Sequence, residues 1–260
     1  MKYNFFSHVV MLVCLTSLLH GVNNVIFELD DLLFTPNQDT SALKGLVTEK
    51  TIDHYRSRLF EIVAKIPVQQ RGLLPKVFFK DLIFPSAWCW YFINKFSSKE
   101  MHDKVSDIIK KEIAWFWPER SILLHAASLA FNPEAEASIM LPVTKGHELV
   151  RACAQNPHNR LFLFSNKNTE TITALQKKYP DFFKLFYKIA VSGTLKQLKP
   201  SKAAYKSLLA TYKLNPTDCY LIETKPDYLE PAKSLGMQCF LCDTQNIAAV
   251  KNDLKKQNVI

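Results

Sequence analysis

The spacing of hydrophobic and polar residues divides the chain into two kinds of region. Val25-Ile-Phe-Glu-Leu-Asp30 is a short apolar run broken by acids near its C-terminal end. That is the pattern of a buried central strand delivering carboxylates to an active-site edge. From about residue 37 to 142 the signals are mostly helical. Thr51 opens a helix predicted to run to about Lys65, with Tyr55, Leu59, Ile62 and Val63 as its apolar positions. The aromatic-rich stretch 87–96 reads as a helix. Ser98 is placed to cap another, predicted to continue to about Trp117 and to stop at Pro118.

After Pro142 the pattern alternates. Helices are predicted over 145–154, 169–178, 201–212 and 229–235, and strands over 160–165, 187–192, 218–222 and 238–242. Strands separated by helices of about ten residues argue for a parallel sheet covered on both faces. The first strand is cut off from the others by the helical region. The economical architecture is α/β: a Rossmann-like parallel sheet from residues 22–36 and 143–260, with a helical cap, 37–142, inserted after the first strand.

The N-terminus adds a separate feature. Behind Lys2, an apolar run from Val9 to Leu19 ends in His20-Gly21. Its length suits the core of a secretory signal and is too short for a comfortable membrane span. The expectation is a signal peptide over 1–21, cleavage near Gly21 and an exported protein, periplasmic or secreted. The other readings are a buried N-terminal helix or an uncleaved anchor, and without export the location is cytoplasmic.

Composition changes this picture little. With 48% hydrophobic residues and only 6 glycines in 260, the chain is ordinary globular protein. The net charge of +9 favours anionic partners. It is dispersed in pairs such as Lys110-Lys111, Lys177-Lys178 and Lys255-Lys256, without a basic stripe interleaved with aromatics, which argues against nucleic acid. Beyond residue 21 the cysteines are Cys89, Cys153, Cys219, Cys239 and Cys242, an odd number without a disulfide-framework spacing. Cys239-Phe-Leu-Cys242 lies in a strand-like run and reads as core rather than as a redox pair at a helix start. The histidines have no metal-ligand spacing, and neither a GxSxG elbow nor a P-loop is present.

Four segments carry candidate chemistry: Phe27-Glu-Leu-Asp-Asp-Leu-Leu-Phe34, Phe164-Ser-Asn166, Ser192-Gly-Thr-Leu-Lys-Gln-Leu-Lys199-Pro200 with Tyr205 beyond it, and Ile222-Glu-Thr-Lys-Pro-Asp227. In this order they resemble the motifs of the haloacid dehalogenase (HAD) superfamily over about residues 25–33 and 142–243. That family has an Asp-x-Asp after strand one, a Ser or Thr after strand two, a Lys-Pro at a helix start and an acidic pair after strand four. The resemblance implies a phosphatase-like hydrolase acting on a small phosphorylated or other anionic substrate. Glu28 stands at the position of the nucleophile that would form the acyl-phosphate, and Asp30 at that of the general acid and base. Ser165, Asn166 and Lys199 would hold the phosphoryl oxygens. Glu28, the backbone carbonyl of Asp30, and Glu223 would hold Mg²⁺.

The departures from the pattern are as informative. Glu28 replaces the nucleophilic Asp, Thr224 replaces the second acid of the last pair, Asp31 replaces a glycine, and Tyr228 stands where Asn is common. Two functions therefore remain: a hydrolase with weak or specialised Mg²⁺-dependent activity, or a catalytically inactive binding or scaffolding protein with the same fold. The plain alternative for Glu28 and Asp30 is a solvated turn after a strand, and for Ser165 and Lys199, helix capping and loop solvation. Trp88, Trp90, Tyr91 and Phe92 are either cap core or a surface that closes over a ligand.

Overall fold

The computed structural model describes residues 22–37, 49–68, 76–79, 82–243 and 245–260. The expected leader over 1–21 lies outside them. Five parallel strands form the central sheet: β1 (Asn23–Phe27), β6 (Asn159–Ser165), β7 (Lys188–Val191), β8 (Cys219–Glu223) and β9 (Gln238–Leu241), in the order β7-β6-β1-β8-β9. β1 is central, with Val25, Ile26 and Phe27 buried on both faces. Its side chains divide by parity. Val25 and Phe27 pack with Leu161, Leu163 and Ile222 on one face, whereas Ile26 packs with Phe162, Phe164 and Leu221 on the other.

Helices cover both faces. α6 (Thr144–Ala154), α7 (Thr169–Lys178) and α12 (Ile247–Lys256) contribute Leu149, Val150, Ile172, Leu175, Val250 and Leu254 to the first face. α10 (Lys202–Tyr212) and α11 (Pro226–Lys233) contribute Tyr205, Leu208, Leu229 and Ala232 to the second. Gly146 in α6 is required by close approach: a Cβ there would lie 1.8 Å from the Leu32 carbonyl oxygen. The five cysteines among the described residues are unpaired thiols, and four of them are buried.

Between β1 and β6, β2 (Phe34–Pro36) pairs antiparallel with β5 (Met140–Pro142). This ribbon joins the sheet to a second hydrophobic cluster, built from α1 (Glu49–Ala64), α2 (Ser86–Phe92), α3 (Ser98–Glu112) and α4 (Pro118–Ala130). A two-residue hairpin, β3 (Phe78–Phe79) with β4 (Leu82–Ile83), and α5 (Pro133–Ile139) complete the region. Trp88 stacks among Phe60, Phe84 and Phe131, and Tyr91 is buried. Of the four aromatics, Trp88 and Tyr91 are core, whereas Trp90 and Phe92 are half-buried.

The helix predicted over 98–117 ends five residues early. Its N-cap is Ser97, closed by a reciprocal capping box with Glu100. Ile113 leaves helical geometry, and Pro118 opens α4 as its first residue instead of only ending α3. Pro at a first helical position costs no hydrogen bond, so it marks a start as readily as a stop. Trp115, Phe116 and Trp117 fall in the intervening loop and are exposed. Pro133 opens α5 in the same way, behind the Asn132 side-chain cap. Among the described residues no helix is long and apolar enough to cross a membrane.

Candidate active site

Three neighbouring strands end in polar residues at the same sheet edge. Phe27 pairs with Leu163 on one side and Ile222 on the other, so Glu28, Ser165 and Glu223 emerge together at the C-terminal ends. The Glu28 amide still donates to the Ile222 carbonyl at 3.0 Å. This is the edge where open α/β sheets place their ligand sites. Lys199 arrives from the loop between α9 (Ser192–Leu195) and α10. Asn166 fixes it: its Oδ1 accepts from the Lys199 amide and its Nδ2 donates to the Lys199 carbonyl, both at 2.9 Å. Tyr205 reinforces the same wall, donating from its hydroxyl to the Tyr228 carbonyl at 2.5 Å.

The four side chains make one network. Lys199 Nζ donates to Glu28 Oε2, to Glu223 Oε2 at 2.6 Å and to the Phe164 carbonyl at 3.0 Å. An ammonium has three protons, and all three are used. Glu28 Oε1 accepts from Ser165 Oγ at 2.5 Å and from the Leu29 and Asp30 amides at 2.9 and 3.2 Å. Glu223 Oε1 accepts from the Thr224 amide at 2.8 Å and, at 3.4 Å, from the Thr224 hydroxyl and the Lys225 amide. The rings of Phe164 and Tyr228 flank the ammonium at 5.0 and 5.1 Å. Ser165, Lys199 and Glu223 have no exposed surface, and Glu28 has 4%.

Burial and pairing pull against each other here. Desolvation pushes the Glu28 carboxyl up, but the Lys199 charge, with hydrogen bonds from Lys199 and Ser165, overcomes it and holds Glu28 at about 2. For Glu223 desolvation wins: with the Glu28 charge it outweighs Lys199 and raises the carboxyl to about 7. Lys199 loses stability as a cation through desolvation, yet the two carboxylates more than offset this and raise it.

Asp30 faces elsewhere. Its carboxylate lies 3.3 Å from Lys167 Nζ, which also holds Glu136 of α5 at 2.7 Å. Thr171 Oγ1 donates to the same Glu136 at 2.8 Å. Desolvation raises the Asp30 carboxyl against the pull of Lys167. Further bonds tie the two hydrophobic clusters together. Thr169 N donates to Asn94 Oδ1 at 3.0 Å, Ser98 N to Glu170 at 3.0 Å, and Ser192 Oγ to the Phe92 carbonyl at 2.9 Å. Lys167 and Glu136 were not among the residues singled out in the sequence. Lys167 directly follows Ser165-Asn166, but nothing in the sequence marks Glu136 as its partner.

The predicted Mg²⁺ ligands do not fit the ion in this arrangement. Mg²⁺ takes six oxygens in near-ideal octahedral geometry. Glu28 and Glu223 each give one oxygen to Lys199, and their remaining oxygens accept from backbone amides and from the Ser165 and Thr224 hydroxyls, while the Asp30 carboxylate belongs to Lys167. Among the described residues no group of three or more His, Cys, Asp or Glu side chains is placed to hold a metal ion. The predicted phosphoryl-binding groups are likewise turned inward: Ser165 donates to Glu28, Asn166 serves the Lys199 backbone, and Lys199 is saturated.

Comparison with solved structures places the fold. A predicted HAD-like family hydrolase from Porphyromonas gingivalis superposes with a TM-score of 0.56 at 18% identity, covering 90% of this chain and 98% of its own. A HAD-family enzyme from Bacteroides thetaiotaomicron, solved with magnesium and inorganic phosphate, gives 0.52 at 15%, covering 85% and 94%. L-2-haloacid dehalogenase from Xanthobacter autotrophicus, with chloropropionic acid covalently bound, gives 0.51 at 11%, covering 92% and 84%. No family model and no curated protein matches the chain. The likeness shows the fold: a HAD-like parallel α/β sheet carrying a helical region between its first two core strands.

Proposed function

We propose that this chain is a HAD-fold protein whose hydrolase site has closed into a buried ion network, and that it acts by binding or scaffolding instead of turnover. The observation that supports this reading is saturation. Every proton of the Lys199 ammonium and every oxygen of Glu28 and Glu223 already has a protein partner. A nucleophilic carboxylate has to turn an oxygen toward phosphorus, and here Glu28 Oε1 is held by three donors and Oε2 by Lys199. Its extra methylene also displaces the carboxylate by about 1 Å from where an aspartate would hold it, which alone costs on the order of a hundredfold in rate. Thr224 in place of an acid removes metal support worth roughly ten- to a hundredfold.

A second reading has its own support. Glu28, Ser165, Lys199 and Glu223 do share one point at the strand ends, the relation a phosphoryl-transfer site needs, and a neighbour in the fold is known with magnesium and phosphate. On that reading the chain is a slow Mg²⁺-dependent phosphatase acting on a small phosphorylated substrate.

A phosphatase panel on the purified chain, with and without Mg²⁺, separates the two. Under the closed-site reading neither aryl nor alkyl phosphates turn over above background, and Mg²⁺ makes no difference. The double substitution Glu28→Asp with Thr224→Asp shortens one carboxylate away from Lys199 and restores the missing acid. Mg²⁺-dependent turnover then rises from background, and adding Lys199→Ala removes the gain. Mg²⁺-stimulated turnover by the wild type sinks the closed-site reading.

A further inference from the structure

Two buried glutamates side by side at the ends of adjacent strands need a cation or a proton to offset their charge. In this chain that cation is covalently attached. Lys199 Nζ bridges Glu28 Oε2 and Glu223 Oε2, takes the Phe164 carbonyl as its third acceptor, and sits between the faces of Phe164 and Tyr228. The Asn166 amide grips the Lys199 backbone on both its donor and its acceptor. The lysine is thus built in, with its backbone as well as its side chain fixed.

We infer that the Lys199 ammonium is the resident cation of this site, that it stands in the place of a divalent ion between Glu28 and Glu223, and that the wild-type chain binds no divalent metal there. Three further observations support the exclusion. The cation's surroundings are those of a monovalent ammonium: one neutral carbonyl, two carboxylate oxygens and two aromatic faces, where Mg²⁺ would demand six oxygens. The Asp30 carboxylate is committed to Lys167, so Asp30 has only its backbone carbonyl to offer an all-oxygen shell. The residue after Glu223 is Thr224, whose hydroxyl already donates to Glu223 Oε1. A metal between the two glutamates would compete with Lys199 for both carboxylates and leave the ammonium only the Phe164 carbonyl and the two rings.

The inference rests on the closed-site geometry above but not on the absence of turnover. A chain that hydrolyses phosphate without metal would refute the proposed function and leave this inference standing. A chain that binds Mg²⁺ between the two glutamates without turnover would do the reverse.

The test uses the full chain and two metals, Mn²⁺ and Mg²⁺. Mn²⁺ titration of the wild type, followed by electron paramagnetic resonance, should show no stoichiometric site tighter than about 1 mM. Its melting temperature should be the same in EDTA and in excess Mg²⁺. Lys199→Met keeps the length and apolar stem but removes the charge, leaving two carboxylates with nothing between them. This variant should melt lower than wild type in EDTA. It should gain roughly 5 °C or more at a hundredfold excess of Mn²⁺ over its Kd. Lys199→Met with Glu223→Gln, which leaves a single carboxylate, should show no such gain. Stoichiometric Mn²⁺ on the wild type, lost in Glu28→Gln and in Glu223→Gln, overturns the inference. So does a folded Lys199→Met protein indifferent to metal. A Lys199→Met protein recoverable only with Mn²⁺ present supports it. If that protein is insoluble in both buffers, the wild-type titration decides by itself.

Discussion

Among the described residues two clusters each set one lysine between two carboxylates, and they differ in burial. Lys199, from the loop before α10, joins Glu28 to Glu223 at the sheet edge, with side-chain exposures of 0%, 6% and 0%. Lys167 joins Asp30 to Glu136, the first from the sheet edge and the second from the helical cap, with 12%, 34% and 19%. The dry cluster joins the ends of two neighbouring strands, and the half-solvated one ties the turn after β1 to α5. Desolvation makes the difference. A carboxylate that keeps part of its hydration tolerates the loss of a partner, whereas one without water depends on its partner completely.

The largest effect should follow from breaking the dry cluster. Lys199→Met in metal-free buffer leaves two buried carboxylates uncompensated, a loss of about 3–5 kcal/mol by analogy with other broken buried pairs. Urea denaturation measures it. A loss below about 1 kcal/mol would mean that water reaches Glu28 and Glu223 freely, and the contrast with Lys167 would disappear.

The pH dependence sharpens the same cluster, because its two carboxylates move in opposite directions. Glu28, lowered from 4.5 to about 2, contributes stability that is present above pH 4.5 and is lost as pH falls toward 2. Glu223, raised from 4.5 to about 7, contributes stability that is present below pH 4.5 and is lost as pH rises through 7. Glu223→Gln mimics the protonated form at every pH. Relative to wild type it should therefore gain stability steadily between pH 4.5 and 7 and plateau above. The difference between the two proteins is the quantity to follow, because buried His147, held down at about 4 by desolvation, imposes its own trend on both as pH falls below 6.5. A difference that is flat with pH would mean that Glu223 stays ionised throughout.

Lys167→Met should cost less, about 1–3 kcal/mol, since Asp30 and Glu136 keep some access to solvent. Its signature is positional. Hydrogen exchange should quicken over α5 and the start of α7, where Glu136 and Thr171 lose their anchor, while β1 and β8 stay protected. Uniform loosening of the sheet would show that the two clusters form one unit.

These clusters also mark where the sequence was readable. The five-stranded sheet was legible because apolar runs of four to six residues alternated with helical periods from 144 onward. The convergence of Glu28, Ser165, Lys199 and Glu223 was legible because each sits at the end of a predicted strand or the start of a predicted helix. The saturation of that cluster was not, since it depends on side-chain reach: one methylene in Glu28 and the amide of Asn166. The Lys167–Glu136 pair was invisible for another reason, a contact spanning 31 residues. The helix opening at Pro118 escapes a reading of that proline as a terminator alone, and the one opening at Pro133 carries only seven residues of helical pattern.

The smallest predicted effect tests the turn that aims Glu28 and Asp30. Asp31 adopts φ 63°, the left-handed region, at the position where the family resemblance implies glycine. Its amide donates to the Phe34 carbonyl at 2.8 Å, which closes the turn leading into β2. An L-residue there carries roughly 1–2 kcal/mol of backbone strain, with Asp among the residues that tolerate it best. Asp31→Gly relieves that strain but frees the unfolded chain, which costs about 0.4–1 kcal/mol. The two terms nearly cancel, so the net change should lie within about 1 kcal/mol of zero. The informative comparison is Asp31→Ala, which keeps the Cβ and loses the short polar side chain that eases this conformation. It should be less stable than Asp31→Gly by about 1 kcal/mol. If alanine equals glycine, the turn is not held left-handed in solution, and the aim of Glu28 toward Lys199 has to be set by the sheet edge alone.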